Sequence, residues 1–404
     1  MARFVVGVLI ALLLTGTGLQ PAPAGAVVPP GTPPAPTNQM VPVTPTRILD
    51  TRTTNQPLGP GEARVLPVPF SSAVGPAGTV GYALNVTVVA PTEATHLSVA
   101  AYDPSAPAPS TSVVNVRAGE TRAAFVVTRT ARITPFVADW FVVRNSSGAA
   151  HVVIDVVAYI GPTAYTNTDL VTTIPTRLVD TRSGLGAPRA RLGPGQTLTV
   201  SVGEFPLANA ALVNVTAVNP THSTHLTAWR AGDPMPNVSS LNARAGEVTP
   251  NLVLSRLDGQ RRFTIRNNSG STDVVVDLVG LVTTSNSARM ALIPPVRLLD
   301  TRTSGPVGPA GVRNVLATAA PGVPDDVAAV WVTVTIVDPS SPTHVTVWPY
   351  GTTKPSVSTV NAAAGQTVAN TTLVGVGEVV ALVNAANHAG AAHVLVDVVG
   401  WTRY

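Results

Sequence analysis

Seven histidines, no cysteine and a sparse set of carboxylates are the groups available for chemistry in this 404-residue chain. Three of the histidines recur in a Thr-His step, at His96, His225 and His344. A second pattern, Arg-x-x-Asp-Thr-Arg, occurs three times: Arg47, Asp50 and Arg52; Arg177, Asp180 and Arg182; Arg297, Asp300 and Arg302. Then, 108, 100 and 100 positions after each first arginine, one aspartate stands inside a valine-rich run: Asp155, Asp277 and Asp397. Paired carboxylates can serve as general acid and base or hold Ca²⁺, and clustered histidines can hold a transition metal. Neither spacing is present. Calcium loops bring several carboxylates within about a dozen residues, and one histidine per unit makes a metal site only if three units converge on an axis. No G-x-S-x-G, H-E-x-x-H, P-loop or G-x-G-x-x-G pattern occurs. The chain reads as non-enzymatic, with no cofactor and no metal.

The lone aspartates have a structural reading instead. Asp155 has apolar neighbours on both faces of its run, so it is expected to be buried, and a buried carboxylate must be paired. Each opening motif supplies two arginines. Arg47 or Arg52 is expected to clamp Asp155, with Arg177 or Arg182 on Asp277 and Arg297 or Arg302 on Asp397. Asp50-Thr51-Arg52 also fits a turn in which the aspartate accepts from the backbone two residues on. Each recurring histidine is expected to be a packed residue at a loop–strand junction. Trp229 and Trp348 lie four residues beyond it, with Ala100 in the first copy and Tyr102 and Tyr350 close by. In a chain with 4% aromatic residues, this pair is a candidate platform for stacking sugar rings. With His96, His225 and His344 these residues form the candidate ligand site; the alternative places them in the core or at a domain interface.

Positioning these groups requires strands. Val330-Trp-Val-Thr-Val-Thr-Ile-Val337 alternates apolar and polar residues, the period of a half-buried strand. Its counterparts are 83–89 and 212–218, and Pro91, Pro220 or Pro339 follows each. Prolines, Asn-Ser turns and Ala-Gly turns divide each unit into about eight short strands, with no helical periodicity. The predicted class is all-β: three tandem β-sandwich domains, of jelly-roll type as one option, with a pseudo-threefold arrangement as one way to pack them. The boundaries are 1–26 signal peptide, 27–43 Pro-rich linker, and repeats 44–160, 173–282 and 292–403, with linkers near 161–172 and 283–291. Units of about 110 residues are large enough for their own cores.

The leader has Arg3, an apolar run from Phe4 to Leu14 and an Ala24-Gly25-Ala26 cleavage site, a secretory signal and not a membrane span. Charged residues make up 11%, net charge is +4 and lysine occurs once, at Lys354. With no basic run, nucleic acid is not an expected partner, and no membrane association is expected after cleavage.

The Arg-[Ile/Leu]-[Leu/Val]-Asp-Thr-Arg opening, the Asn-Val-Thr strand, the Ser-x-x-Asn step, the Ala-Gly-[Glu/Gln] turn and the closing [Ile/Val]-Asp-[Val/Leu]-Val run together resemble a repeat module of secreted actinobacterial proteins. The resemblance covers nearly all of 44–403. The chain departs from it at Thr333, where the other units have Asn85 and Asn214, and at Ala124, where they have Asn251 and Asn370. It implies a secreted β-rich repeat and transfers no catalytic residue.

Triplication favours binding, because weak repeated sites gain by avidity. The expected function is a secreted, non-enzymatic protein at the cell surface or cell wall that binds cell-wall or other extracellular polysaccharide. The alternative is an adhesion or assembly module whose partner is another surface protein, and a remote third reading is a hydrolase with an unrecognised site.

Overall fold

Each repeat begins with a long strand that bends at a proline and ends with a valine-rich strand that pairs with it. In the first repeat the strands are Asn38–Asp50, Ala63–Pro69, Gly81–Val89, Thr95–Ala101, Val114–Val116, Arg122–Arg129, Ala138–Asn145 and His151–Pro162. In the second they are Asp169–Asp180, Thr197–Ser201, Ala208–Val218, Thr224–Arg230, Leu241–Ala243, Val248–Arg256, Arg262–Asn267 and Asp273–Thr283. In the third they are Arg289–Asp300, Val312–Leu316, Ala329–Val337, Thr343–Pro349, Val360–Ala362, Val368–Gly375, Leu382–Asn387 and His393–Arg403. They are called the first to eighth strands of each repeat. A two-residue strand, Ala131–Arg132, is added in repeat 1, and a 3-10 turn, Ala317–Ala319, in repeat 3. The computed structural model describes residues 38–105, 109, 111–132, 138–162, 168–284 and 289–403, and these are nearly all β, in several sheets. The expected leader and residues 27–37 of the expected spacer lie outside the described residues.

All pairings between these strands are antiparallel. In every repeat one sheet runs in the order first, eighth, third, sixth, and a second runs second, seventh, fourth, fifth. A single register pair, Asn38↔Met290, joins the first strands of repeats 1 and 3, so that their first sheets are continuous over eight strands. The described residues all fall in one compact unit.

The first strand slips register between Pro42 and Thr46, and again at Thr172/Thr176 and Leu292/Val296. Pro45, Pro175 and Pro295 stand inside these irregular stretches, where a missing N–H costs no ladder bond. Beyond the slip, Arg47 falls directly opposite Asp155, Arg177 opposite Asp277 and Arg297 opposite Asp397. Residues 38–43, expected in the spacer, and 169–172 and 289–291, expected in linkers, belong to first strands. Met40, Leu170 and Met290 anchor these strands in the core, each at most 4% exposed.

The third strands correct another expectation. They alternate as predicted, yet both faces are buried. One face of the strand in repeat 1 carries Leu84, Val86 and Val88 into that repeat's own core, beside Leu97, Val99, Phe141 and Val143 of the second sheet. Repeats 2 and 3 have equivalent cores. The other face enters a fourth cluster drawn from all three repeats, including Ala83, Phe125, Leu212, Leu252, Trp331 and Leu373. Phe125 and Trp331 stack there with ring centroids 6.0 Å apart. A polar–apolar alternation cannot register a second apolar environment supplied by neighbouring repeats.

Trp331 is fully buried, so Trp331→Ala should cost about 3–5 kcal/mol. Because the cluster is shared, the loss should appear in urea unfolding as one transition, coincident by fluorescence and circular dichroism. Separate transitions, with two repeats unaffected, would show that the shared cluster does not couple them.

Candidate functional site

The repeated polar residues are best taken from the carboxylates outward. Arg47 donates from Nε to Asp155 Oδ1 at 2.8 Å and from Nη2 to Oδ2 at 3.3 Å. Arg177 grips Asp277 at 2.8 and 3.2 Å, and Arg297 grips Asp397 at 2.9 and 2.9 Å. The first arginine of each motif is thus the bidentate partner, a geometry only a guanidinium supplies. The second arginine does something else. Arg52 chelates Asp50 at 2.8 and 2.7 Å, and its backbone N–H donates to Asp50 Oδ1 at 3.1 Å, closing a turn. Arg182 on Asp180 and Arg302 on Asp300 repeat this. The hydrogen bond from Arg52 holds the Asp50 carboxyl down at about 2, and that from Arg302 does the same for Asp300. Burial pushes the Asp155 and Asp277 carboxyls up, against the pull of their arginines. The threonine between them is also used: Thr51, Thr181 and Thr301 each accept the N–H of the eighth strand's second residue at 2.9, 3.0 and 2.8 Å.

The Thr-His step has a similar basis. Thr95 donates to Asn145 Oδ1 at 2.7 Å, Thr224 to Asn267 at 2.7 Å and Thr343 to Asn387 at 2.8 Å. Each of these buried asparagines donates in turn to turn carbonyls, Asn145 to those of Leu58, Gly59 and Gly148 among others. The histidine beside each threonine is half-buried. Burial first, then Arg144 and Arg266 respectively, lowers His96 and His225. Burial, the stacked ring of His388 at 4.3 Å, Lys354 and Arg177 lower His344 to about 4.

These two sets of residues meet only where one repeat packs on the next. A cleft of about 480 Å³ lies between Arg177 and Arg182 of repeat 2 and His344, His388, Lys354 and Asn361 of repeat 3. A cleft of about 550 Å³ sits at the equivalent place between Arg297 and Arg302 of repeat 3 and His96, Asn115 and Arg117 of repeat 1. The Arg182 and Arg302 side chains are half exposed there. In the first cleft, Asn361 Oδ1 is shielded from solvent and has no hydrogen-bond partner. Both clefts therefore set two arginines of one repeat against a histidine of another. His96 and His344 line different clefts, and among the described residues no group of three or more His, Asp or Glu is placed to hold a metal.

The aromatic candidates are placed otherwise. Trp348 is 6% exposed and Trp229 half-buried; their indole N–H groups donate to Thr352 O at 3.2 Å and Asp233 O at 2.9 Å. Trp229 packs beside Val43, Thr44 and Pro45 of repeat 1. The Lys354 ammonium lies over the Trp348 ring, 5.9 Å from its centroid. Tyr102 is half-buried and Tyr350 is exposed.

Polar contacts across the repeats escaped sequence reasoning, because each partner comes from a different unit. Asn85 donates to Ser239 O at 2.6 Å, and Asn251 donates to Asn85 Oδ1 at 3.1 Å and Ser240 O at 2.7 Å. Asn214 and Asn370 repeat this between repeats 2 and 3, with Ser358 O and Thr359 O as acceptors. Arg117 and Arg122 of repeat 1 reach Glu247 of repeat 2. Only the recurrence of Asn in the Asn-Val-Thr strand pointed to any of these.

No family model matches the chain, and no curated protein matches it. Among solved structures there is a likeness to "Structure of infectious bursal disease virus Gt strain", at 8% identity and a TM-score of 0.18, covering 93% of this chain and 82% of that one. At that TM-score the likeness carries no argument for fold or function.

Removing the two ends of a clamp should have unequal effects. Arg177→Met strands the Asp277 carboxylate, 1% exposed, and should cost about 3–5 kcal/mol in urea unfolding at neutral pH. Asp277→Asn leaves Arg177 with Asp180 and some solvent and should cost less. Equal losses would mean that the carboxylate is not the constrained partner.

The lowered histidines set an acid sensitivity. The unfolded chain takes up protons near 6.5 before the folded one does, so the His344 contribution is intact above 6.5 and is lost as pH falls through about 4. His96 and His225 act in the same direction. The Asp50 and Asp300 contributions, present above 3.8, are lost in a separate window towards 2. Burial raises the Asp155 and Asp277 carboxyls and lifts Asp139 to about 6, and these gain stability as pH falls, opposing the histidines. The comparison that checks this is therefore differential: from pH 7 to 4 the unfolding midpoint should fall more, or rise less, in the unaltered chain than in His344→Gln.

Proposed function

We propose that this chain is a secreted, non-enzymatic cell-surface protein that binds extracellular polysaccharide in the clefts between its repeats. On this reading, each repeat is an eight-stranded β-sandwich with jelly-roll connectivity, and the three stand in tandem around a pseudo-threefold axis. Three observations support the sandwich reading: the same two strand orders in every repeat, one apolar cluster per repeat, and mutual contacts among the three sixth strands. The resemblance to secreted actinobacterial repeat modules and the leader at 1–26 support export.

The observation that carries the binding reading is the cleft between repeats 2 and 3. There Lys354, the half-exposed Arg182 and neutral His344 converge, with Asn361 in the lining. Chains bearing carboxylate or phosphate offer the matching groups, because anionic oxygens accept from the cations. The repeated carboxylates are each taken up by an arginine, which supports binding over acid–base chemistry. The packing of Trp229 and Trp348 between hydrogen-bonded loops favours a second reading, an adhesion or assembly module that contacts another surface protein.

Sedimentation of chain 27–404 with insoluble peptidoglycan, chitin and cellulose tests the proposal. Retention on at least one polymer is expected, reduced about tenfold or more in Lys354→Ala/Asn361→Ala (about 1.4 kcal/mol). Absence of retention on every polymer, or retention unchanged in that variant, would sink the cleft as a polysaccharide site and leave the assembly reading.

A further inference from the structure

We propose that the contact between repeats 3 and 1 holds a binding site for a small planar aromatic compound, of indole size and with one N–H or O–H donor. The three contacts between repeats are built from equivalent positions, and pairing register fixes the equivalence. Asn85, Asn214 and Thr333 stand opposite Asp155, Asp277 and Asp397. Ala124, Asn251 and Asn370 stand opposite Val86, Val215 and Val334. Ala100, Trp229 and Trp348 each lie three residues beyond the residue paired with Asn145, Asn267 or Asn387.

Between repeats 1 and 2, and again between 2 and 3, a tryptophan and an asparagine pair occupy these positions. Between repeats 3 and 1 all three are exchanged for smaller side chains: Ala100, Ala124 and Thr333. Thr333 turns to Thr371 within its own repeat, at 2.9 Å. A fourth exchange accompanies them. The Ser240 and Thr359 hydroxyls accept the backbone N–H of Ala228 and Val347, at 3.0 and 3.1 Å, whereas repeat 1 has Val113 there. Ser98 Oγ, fully buried, has no partner, while its counterparts Thr227 and Thr346 donate to Val238 O and Val357 O.

The space left is measurable. The cavity is about 240 Å³ and is lined by Val99, Ala100, Val113 and Thr333 against Ile293 and Pro295, among others. The corresponding recesses between repeats 1 and 2 hold about 20 Å³ each. Protein interiors are close-packed, and an apolar cavity of about 150 Å³ already admits a benzene ring. In the two filled contacts the occupant is an indole whose N–H donates to a carbonyl four residues on, Asp233 O or Thr352 O. Asp103, at the position of Asp233 in its Asp-Pro step, lines the empty one. The geometry therefore calls for a free molecule shaped like the missing side chain.

Titration calorimetry of chain 27–404 with indole tests this directly, with glucose as the hydroxyl-rich control. Binding of one indole with a dissociation constant below about 1 mM is expected, with none for glucose. Ala100→Trp should weaken indole binding at least tenfold and raise the melting temperature. If Ala100→Trp fails to fold, Ala100→Leu with Ala124→Asn fills the space in smaller steps and should weaken binding likewise. Absence of indole binding to the unaltered chain, binding unchanged in a folded filled variant, or binding of glucose in place of indole would overturn the proposal.

Discussion

A carboxylate in the middle of a valine strand constrains everything around it. Asp155, Asp277 and Asp397 are each 1% exposed, and a charge removed from water that far must have a partner with matched geometry. The first strand supplies it by slipping register at its proline, so that one guanidinium lies flat across the carboxylate. Two consequences follow. The first and eighth strands, the beginning and end of a repeat, are locked together, and the second arginine is freed for a turn with its own aspartate. That turn carries Arg182 and Arg302 to the edge of the clefts. A pairing that looks purely structural therefore decides which cations face outward.

The next constraint acts between repeats. Third strands with two apolar faces cannot be satisfied within one repeat, and the shared cluster around Phe125, Leu252 and Trp331 is the outcome. Polar side chains inside such a contact must be bonded. Asn85 with Asn251, and Asn214 with Asn370, meet that demand by reciprocal bonds to each other and to backbone carbonyls. The asparagines of the Asn-Val-Thr tripeptides are consequently buried rather than displayed.

Where repeat 3 meets repeat 1 the asparagine pair is absent, and so is a counterpart of Trp229 and Trp348, while Trp331 stacks on Phe125 in the shared cluster. A symmetric array with one relaxed contact differs from three copies of one site. The polar clefts recur, whereas the apolar cavity lies at the contact that lacks the tryptophan and the asparagine pair. The two proposals thus rest on different features, one on what the repeats keep and one on what a single contact has lost.

The sequence alone was enough to determine the threefold repetition, the strand-rich class and the need for an arginine on each lone aspartate, because these depend on local alternation and on the cost of burying charge. It also marked Thr333, Ala124 and Ala100 as departures. It could not show that the three fall on one contact, since they lie in different strands and two repeats, nor choose Arg47 over Arg52, since a register slip at Pro45 makes that choice. Trp229 and Trp348 had the composition of sugar platforms, but the sequence could not show that Trp348 is nearly buried and that Trp229 packs beside repeat 1. Lys354, His388 and Glu247 gained their roles only from neighbours distant in sequence. Side-chain chemistry is written locally, but which groups share a cavity depends on how the repeats pack, and tertiary structure alone decided that.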